Sequence, residues 1–353
     1  MTPSLSSSKK TAGWAAALLL ALATLLAYWE TSPGARGLPL RILTSRPKGV
    51  MGTTCLLLIR VPPEEVKKGK RALSRAEAAL RKVEAAMSSH LADSEISRLN
   101  AAPPARKVPL SPWTLQVLRE ARDLWKATGG AFDVTCRPLL LLWKKAARAG
   151  RLPTPREIRT ARQASRWDLL ELGARWARKK GAGLQVDLGG IAKGFGIDKA
   201  LEAMKKTGVP AGLVDVGGDL RAFGPGTGPG GTWKVDVLDP FTRSPAGSLA
   251  LREGAVCTSG GYFRYVEIQG KRYSHILDPR TGRPARAASS VTLLGKEAAR
   301  TDAWATALAV LGPQGLPLLQ RQKGLEALVV TGTREKPRFL LTPGMKALYR
   351  PGP

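Results

Sequence analysis

Two oxygen-bearing side chains, Asp302 and Thr306, lie four residues apart in the segment that begins at Ser290, SVTLLGKEAARTDAWATALAVLG. In the helix that this pattern predicts, residues four apart share one face. A carboxylate and a hydroxyl are hard oxygen donors, and they suit Mg²⁺, which keeps several waters and takes few protein ligands. From spacing alone, a helix-start aspartate with a threonine packed beneath it explains the pair as well.

A glycine turn precedes a second predicted helix in the segment that begins at Val186, VDLGGIAKGFGIDKALEAMKK. The pattern predicts a strand, a turn at Gly189 and Gly190, and a helix from about Ile191. Glycines let a backbone approach a ligand closely, and the free N–H groups of a helix start favour an anion. Lys193 adds a positive charge there, and Asp187 ends the strand. The glycine spacing is not that of a dinucleotide-binding fingerprint. A tight turn followed by a solvated lysine explains the segment as well as an anion-binding site does.

The chain has two histidines, His90 and His275. His275 precedes the turn DPRTG, after a hairpin that we expect to reverse at Gln269-Gly270. A histidine titrates near neutral pH and can accept a proton from a hydroxyl nucleophile. A hydrogen-bonded structural histidine is the alternative.

The segment GGAFDVTCRPLLLLW begins at Gly129 and places Phe132 beside Asp133 in a turn. An aromatic ring next to a carboxylate can cover a flat ligand ring and accept its N–H groups. Phe132 as an ordinary core residue is the alternative.

The N-terminus predicts a membrane segment. Lys9 and Lys10 precede an uncharged run from Thr11 to Trp29, which is near the length that crosses a bilayer. The two lysines predict a cytoplasmic N-terminus and an exported remainder. We interpret residues 1–30 as an uncleaved single-pass anchor in the inner membrane, with the rest of the chain on the periplasmic side. A signal peptide cleaved after Ala21-Leu22-Ala23 is the alternative.

The charge balance is strongly basic, with 56 Lys and Arg against 27 Asp and Glu and a net charge of +29. The basic residues are spread along the chain and accompany no nucleic-acid-binding motif. We therefore expect a solvated basic surface and no nucleic-acid partner. Three widely spaced cysteines give no disulfide framework and no metal pattern.

Helices and strands mix without strict alternation, which favours an α+β fold. We expect a linker at 31–45, one domain of mixed sheets with flanking helices at 46–345, and a loose tail at 346–353. Helices are predicted over 64–87, from Pro112 towards Gly129, from Pro155, over 298–311 and over 315–322. Strands are predicted at 184–187, 213–216, 233–238, 262–268, 291–294 and 327–330.

Taken together and in order, the segments resemble the ApbE family, the FAD:protein FMN transferases. The matching segments include MGTTC at 51–55, MSSHLADSEISRLN, GGAFDVTCRPLLLLW, VDLGGIAKGFGID, GLVDVGGDLRAFG, TSGGY, SHILDPRTGRP and TDAWATALAVLG. The resemblance covers nearly the whole chain after the linker. It implies an α+β fold and FMN transfer from FAD.

The resemblance also implies roles for individual residues. The implied FAD contacts are Met51, Ala131, Phe132, Asp133, Asp187, Lys193 and Ile276. The implied Mg²⁺ ligands are the carbonyl of Gly190 and the side chains of Asp302 and Thr306. His275 is implicated in the transfer itself.

Two positions depart from the family pattern. His90 stands where family members often have a tyrosine that contacts FAD, and imidazole can still stack on a ring. Gly261 in TSGGY replaces the aspartate of the commoner TSGDY, so any role of that carboxylate is lost or moved. The usual lipoprotein cysteine is missing as well, which agrees with an anchor.

The implied reaction is attack by a Ser or Thr hydroxyl of an acceptor protein on the FMN-side phosphorus of FAD, with AMP leaving. The family's acceptors are membrane redox subunits with a short Ser/Thr-containing motif. Two alternatives stay open: hydrolysis of FAD to FMN and AMP, and flavin binding without turnover.

Overall fold

The computed structural model describes residues 40–261 and 264–352, and it confirms the α+β class. The strands described are β1 Arg41–Ser45, β2 Cys55–Val61, β3 Val108–Pro109, β4 Leu170–Leu172, β5 Trp176–Lys179, β6 Ala211–Val216, β7 Asp219–Phe223, β8 Trp233–Leu238, β9 Pro245–Leu251, β10 Gly254–Gly260, β11 Tyr265–Ile268, β12 Lys271–Ser274, β13 Leu277–Asp278, β14 Arg283–Pro284, β15 Ser290–Gly295, β16 Glu326–Gly332, β17 Pro337–Leu341 and β18 Tyr349–Pro351.

The helices of the same part of the chain cover one face of the large sheet and its periphery. They are α1 Val66–Met87, α2 Glu95–Ala101, α3 Pro112–Ala127, α4 Arg137–Arg148, α5 Pro155–Ala164, α6 Ala192–Lys205, α7 Ala298–Leu311, α8 Leu316–Gln320 and α9 Pro343–Leu348.

One antiparallel sheet organises the molecule, in the order β1-β2-β6-β7-β10-β15-β16-β17. Its strands are short and apolar, and β2 alternates buried with half-buried residues, as expected for a strand covered more fully on one face. Helices α1, α6 and α7 pack on one side of the sheet. The small sheet β18-β9-β8 closes the other side around a separate apolar cluster.

Helix α1 lies close to the sheet because its sequence provides both an apolar stripe and a glycine. Leu73, Leu80 and Val83 are buried at helical spacing. A Cβ at Gly69 would lie 2.7 Å from a methyl carbon of Ile59 and 2.8 Å from one of Leu43. Any larger residue at Gly69 would therefore have to displace these two methyl groups.

Helices α6 and α7 approach each other even more closely, at Gly194. A Cβ there would lie 2.2 Å from the carbonyl oxygen of Ala298. One turn later, the carboxylate of Asp198 accepts hydrogen bonds from the N–H groups of Ala298 (2.8 Å) and Ala299 (2.9 Å), and it pairs with Arg221 at 2.6 Å. Asp198 therefore satisfies the free N–H groups at the start of α7, in the manner of a cap supplied from another helix.

Several sequence predictions are confirmed as they stand. The helix over 298–311 and the strand over 233–238 have the predicted bounds, and the hairpin reverses at Gln269-Gly270. Helices begin at Pro112 and Pro155 behind serine and threonine caps.

Other predictions are wrong. Residues 184–187 form no strand, because only Gln185 makes a bridge, to Cys136. The end of the predicted linker is strand β1, which pairs with β2. The predicted loose tail contains the end of α9 and strand β18, where Tyr349 is buried against β9.

The predicted membrane anchor lies outside the described residues. Within the described residues, no helix combines the length and apolar character needed to span a bilayer.

Replacing Asp198 with alanine tests the junction between α6 and α7. The variant leaves Arg221, whose side chain is only 12% exposed, without its carboxylate partner. Removing one partner of a buried ion pair costs about 3–5 kcal/mol, and we expect urea unfolding to show a loss of that size. Asp168→Ala is the matched control, since its pair with Arg166 is more than half exposed and contributes little. Equal losses in the two variants would contradict the role given to Asp198.

Candidate active site

The candidate site lies where α6 begins and the first turns of α7 pass beside it. The turn after Asp187 closes with hydrogen bonds from Ile191 and Ala192 to the carbonyl of Leu188. The helix then starts at Ala192, one residue after the predicted start. This turn places Gly190 and Lys193 next to the face of α7 that carries Asp302 and Thr306.

Gly190 and Thr306 are direct neighbours. A Cβ on Gly190 would lie 3.3 Å from Thr306 Oγ1 and 3.2 Å from the ring of Phe132. Thr306 Oγ1 is also 3.3 Å from Ser259 Oγ, at the end of β10. A glycine at 190 therefore leaves room beside the threonine hydroxyl that a side chain would reduce.

Lys193 pairs with two buried carboxylates. Its Nζ lies 3.2 Å from each carboxylate oxygen of Asp302 and contacts Asp219, while Gly194 N–H donates to Asp302 at 3.1 Å. The side chains of Asp302 and Asp219 are 3% and 4% exposed. Burial alone would lower the pKa of Lys193, but the two carboxylates more than offset it and raise that pKa. The ammonium therefore stays charged.

These residues fit a divalent cation. Asp302 and Thr306 offer hard oxygen donors one helical turn apart, and the position between the carboxylates already stabilises one cation, the Lys193 ammonium. The described residues contain no cluster of three or more His, Cys, Asp or Glu side chains suited to a metal. A cation here would thus depend on carbonyl, hydroxyl and water oxygens beside the carboxylate.

Asp187 is held in place by two residues that the sequence did not single out. Its Oδ2 accepts from Ser89 Oγ (2.8 Å) and from Arg137 (3.1 Å), and its Oδ1 accepts from Gly189 N–H (2.8 Å). Arg137 also donates to the carbonyl of Ser89. The Asp187 carboxylate is thus tied to the segment that carries His90, whose side chain is exposed.

The Ala131-Phe132-Asp133 turn is buried. Phe132 is 3% exposed and belongs to the main core cluster, so it matches the core alternative, and its ring reaches the site near Gly190. Asp133 Oδ1 accepts from the N–H and hydroxyl of Thr135, at 2.7 and 2.6 Å. Burial raises the pKa of Asp133 to about 6, although the Thr135 hydrogen bonds oppose that shift.

Asp133 also lines a cavity of about 400 Å³ that contains none of the predicted metal ligands. Trp125, Trp167 and Arg280 line the same cavity. Asp133 thus lies at the cavity beside the DPRTG segment.

Met51 packs against α6 at Gly196. It adopts a left-handed backbone conformation (φ 54°), and its methyl group would meet a Cβ on Gly196 at 3.4 Å. A non-glycine residue at positive φ is uncommon and marks a constrained turn. The turn keeps the thioether against the helix that carries Lys193.

His275 is exposed at the edge of the site. Its Nδ1 is 2.8 Å from the carbonyl oxygen of Arg264, so the neutral ring donates from Nδ1 and leaves Nε2 as the acceptor. Protein atoms around the ring still remove enough water to lower the pKa of His275 below its ordinary value, and nearby cations including Lys193 add to this. Ile276 is half-buried against the main core.

Gly261 faces the residue that precedes His275. A Cβ at 261 would lie 2.8 Å from Ser274 Oγ, and this hydroxyl accepts the N–H of Ile276. A side chain at 261 would have to displace the Ser274 hydroxyl. Glycine at this position is therefore matched to the local packing of the His275 segment.

Sequence reasoning did not identify Asp219, Arg137 or Ser89 as site residues. Asp219 lies in VDVGGDL, and only the packing of β7 beneath α6 brings it to Lys193. Arg137 begins α4 before a proline, which gives no sign of its partner 50 residues later.

The chain matches the model of the ApbE family over residues 51–329. It is 35% identical over 240 residues to the FAD:protein FMN transferase of Vibrio cholerae serotype O1, covering 67% of this chain and 72% of the relative. It is 31% identical over 308 residues to that of Treponema pallidum, covering 81% and 84%.

Solved structures agree with the sequence match. The flavin transferase ApbE from Vibrio cholerae aligns with a TM-score of 0.78 at 30% identity, over 88% of this chain and all of that one. The apo form of Pseudomonas stutzeri flavinyl transferase ApbE aligns with a TM-score of 0.73 at 30% identity, over 88% and 96%. With most of its length matched in sequence and in fold, the chain belongs to the ApbE family.

Proposed function

We propose that the chain transfers the FMN moiety of FAD to a Ser or Thr hydroxyl of an acceptor protein, in a Mg²⁺-dependent reaction that forms a phosphoester and releases AMP. The observation that carries the proposal is the meeting of Gly190, Lys193, Asp302 and Thr306 at the start of α6. The names of the curated relatives support the same activity.

Different residues act on different groups in the proposed reaction. The acceptor oxygen attacks the FMN-side phosphorus, the bond from that phosphorus to the bridging oxygen breaks, and AMP leaves with the bridging oxygen. Lys193 and the positive end of the α6 dipole offer positive charge to the pyrophosphate. Asp302, Thr306 and the Gly190 carbonyl would hold Mg²⁺, which would neutralise the charge that develops on the phosphoryl oxygens.

His275 takes the proton of the attacking hydroxyl in this proposal. Its Nδ1 donates to the Arg264 carbonyl, so Nε2 is the nitrogen that can accept a proton. The lowered pKa keeps the ring neutral at physiological pH, which is the state that a base requires.

Acceptor and location are parts of the same proposal. The acceptor is a membrane redox subunit with a short Ser/Thr-containing motif, and residues 1–30 anchor the enzyme in the inner membrane with its domain in the periplasm. Lys9, Lys10 and the uncharged run after them support this orientation.

Mass analysis of an acceptor protein incubated with FAD and Mg²⁺ separates the proposal from its alternatives. Transfer adds FMN to one Ser or Thr of the acceptor and releases one AMP. Release of free FMN and AMP with an unchanged acceptor would identify a hydrolase, and unchanged FAD would identify a flavin-binding protein.

Replacing Asp302 with alanine should reduce transfer by roughly a thousandfold or more, because a catalytic metal supplies several kcal/mol of transition-state stabilisation. The Mg²⁺ dependence of flavinylation, followed by mass spectrometry, measures this loss. The circular dichroism spectrum should stay unchanged. Asp123→Ala, a 72% exposed aspartate on α3, is the control and should keep full activity. Near-normal transfer by Asp302→Ala would disprove the metal assignment.

Replacing His275 with asparagine should lower turnover by about a hundredfold to ten-thousandfold, the usual contribution of a positioned base, with little change in FAD affinity. The wild-type rate should decline at acid pH, and at a lower pH than an ordinary histidine would give, because burial lowers the pKa of His275 and protonation removes the base. That acid limb should vanish in the variant. Normal turnover of the variant at saturating FAD would show that His275 is not the base.

Protease treatment of spheroplasts tests the location. We expect the intact chain in the membrane fraction and its domain degraded by added protease, while a cytoplasmic marker protein survives. A fully protected domain would contradict the periplasmic orientation, and a mature N-terminus near Thr24 would show a cleaved signal peptide instead.

A further inference from the structure

A groove of about 400 Å³ lies between α4 and α5, and none of the residues assigned to FAD or the cation lines it. Its apolar walls come from Pro138 and Leu142 on α4 and from Ala161 and Ala164 on α5, all of them half-buried. These residues recur at helical spacing, so each helix turns a narrow apolar strip towards the groove. A groove of this kind can receive the apolar face of an amphipathic helix from a partner.

The rim of the groove is basic. Lys145 and Arg156 are exposed there, and neither forms an ion pair with any residue that the structure describes. Glu157 also lines the groove, but its carboxylate accepts from Arg151 at 2.7 and 2.8 Å and from the N–H of Thr154 at 2.8 Å. The rim therefore carries positive charge that no described carboxylate balances.

The two helices are more basic than the chain around them. Residues 138–164 contain seven Lys and Arg residues and one acidic residue. The whole chain has 56 against 27, or about two basic residues for each acidic one. This concentration of cations around an apolar groove favours a partner that brings carboxylates.

Both helices of the groove also support the turn that follows His275. Trp143 of α4 donates from Nε1 to the carbonyl of Gly282 at 2.9 Å, and its ring lies 5.4 Å from that of Tyr273. On α5, a methyl carbon of Ile158 lies 2.7 Å from the position of a Cβ on Gly282. A partner bound in the groove would therefore lie beside the segment that carries His275.

Other occupants of the groove match it less well. Residues 1–39 of this chain carry three cations and one carboxylate, and a second copy would bring a net charge of +29, so the rim would repel both. A lipid bilayer takes up apolar side chains that protrude from a surface. The apolar residues of this groove line a concavity instead.

We propose that the groove between α4 and α5 is the docking site for the acceptor protein, which presents an acidic amphipathic helix to it. The apolar face of that helix packs against Leu142 and its neighbours, and its carboxylates pair with Lys145 and Arg156. Docking raises the effective concentration of the acceptor hydroxyl beside the His275 segment. This inference rests on the proposed function for the identity of the partner.

Peptide binding tests the groove without any turnover. The probe is a fluorescein-labelled helical peptide of Leu, Glu and Ala whose leucines share one face, and its fluorescence anisotropy reports binding to the full chain. Lys145→Glu/Arg156→Glu should bind this peptide about tenfold more weakly than the wild type, because two attractive rim charges become repulsive. A peptide with Lys in place of Glu should not bind the wild type.

Lys67→Glu/Arg71→Glu is the matched control. Both residues are exposed on α1, and the control changes the net charge of the protein by the same amount. It should bind the acidic peptide as the wild type does. Equal losses in the two double variants would show attraction to the overall charge alone and would overturn the docking site.

The kinetics of the acceptor give a second readout. With a protein that receives FMN, the groove variant should raise the KM for that protein about tenfold and leave kcat and the KM for FAD unchanged, because docking adds no group to the chemistry. An unchanged KM for the acceptor would overturn the docking role. If the wild type binds the acidic peptide through the groove but flavinylates no protein, the proposed function fails while the acidic-helix site stands.

Hydrogen exchange of residues 138–164 distinguishes a protein partner from a lipid surface. In the full chain reconstituted into nanodiscs, the acidic peptide should slow exchange of this segment. Without peptide, exchange should be the same in phosphatidylglycerol and phosphatidylcholine discs. Slower exchange in the phosphatidylglycerol discs alone would assign the groove to an anionic membrane and overturn the proposal.

Discussion

The contact between α6 and α7 at Gly194 is the constraint on which the site depends. Only a residue without a side chain lets the backbone of α6 touch the carbonyl of Ala298. This approach brings the Gly194 N–H to the carboxylate of Asp302, one turn into α7. The carboxylate of Asp198 accepts hydrogen bonds from the first N–H groups of α7 and so holds the start of that helix. The two helices therefore pack directly against each other, and this packing holds Lys193 beside Asp302.

The electrostatics of this unit follow from its burial. Carboxylates that are 3–4% exposed would be costly in a core without a cation, and Lys193 provides one. Lys193 offsets one of the two carboxylate charges, so the cluster keeps a formal negative charge.

Sequence reasoning identified the parts of the site that depend on local pattern. The bounds of α7, the shared face of Asp302 and Thr306, and the glycine turn before α6 all follow from periodicity and turn chemistry. The partners of those residues do not. Asp219 reaches Lys193, and Arg137 reaches Asp187, through the packing of elements distant in sequence, which no local pattern records. The predicted strand at 184–187 is wrong for a related reason. Its composition suits a strand, but only Gln185 pairs with another segment, through a single bridge to Cys136.

The order of the large sheet has a consequence for how the enzyme is made. Strand β2 pairs with β6, so Cys55 lies opposite Val216, and the early part of the chain has no neighbour on that side until the middle has been synthesised. Pairings between distant segments slow folding, because the loop between them must close before the contact stabilises anything. The residues of α7 emerge later still. A nascent chain released before Asp302 carries Lys193 and Asp219 but not Asp302, so in such a truncated product Lys193 lacks one of its two carboxylate partners.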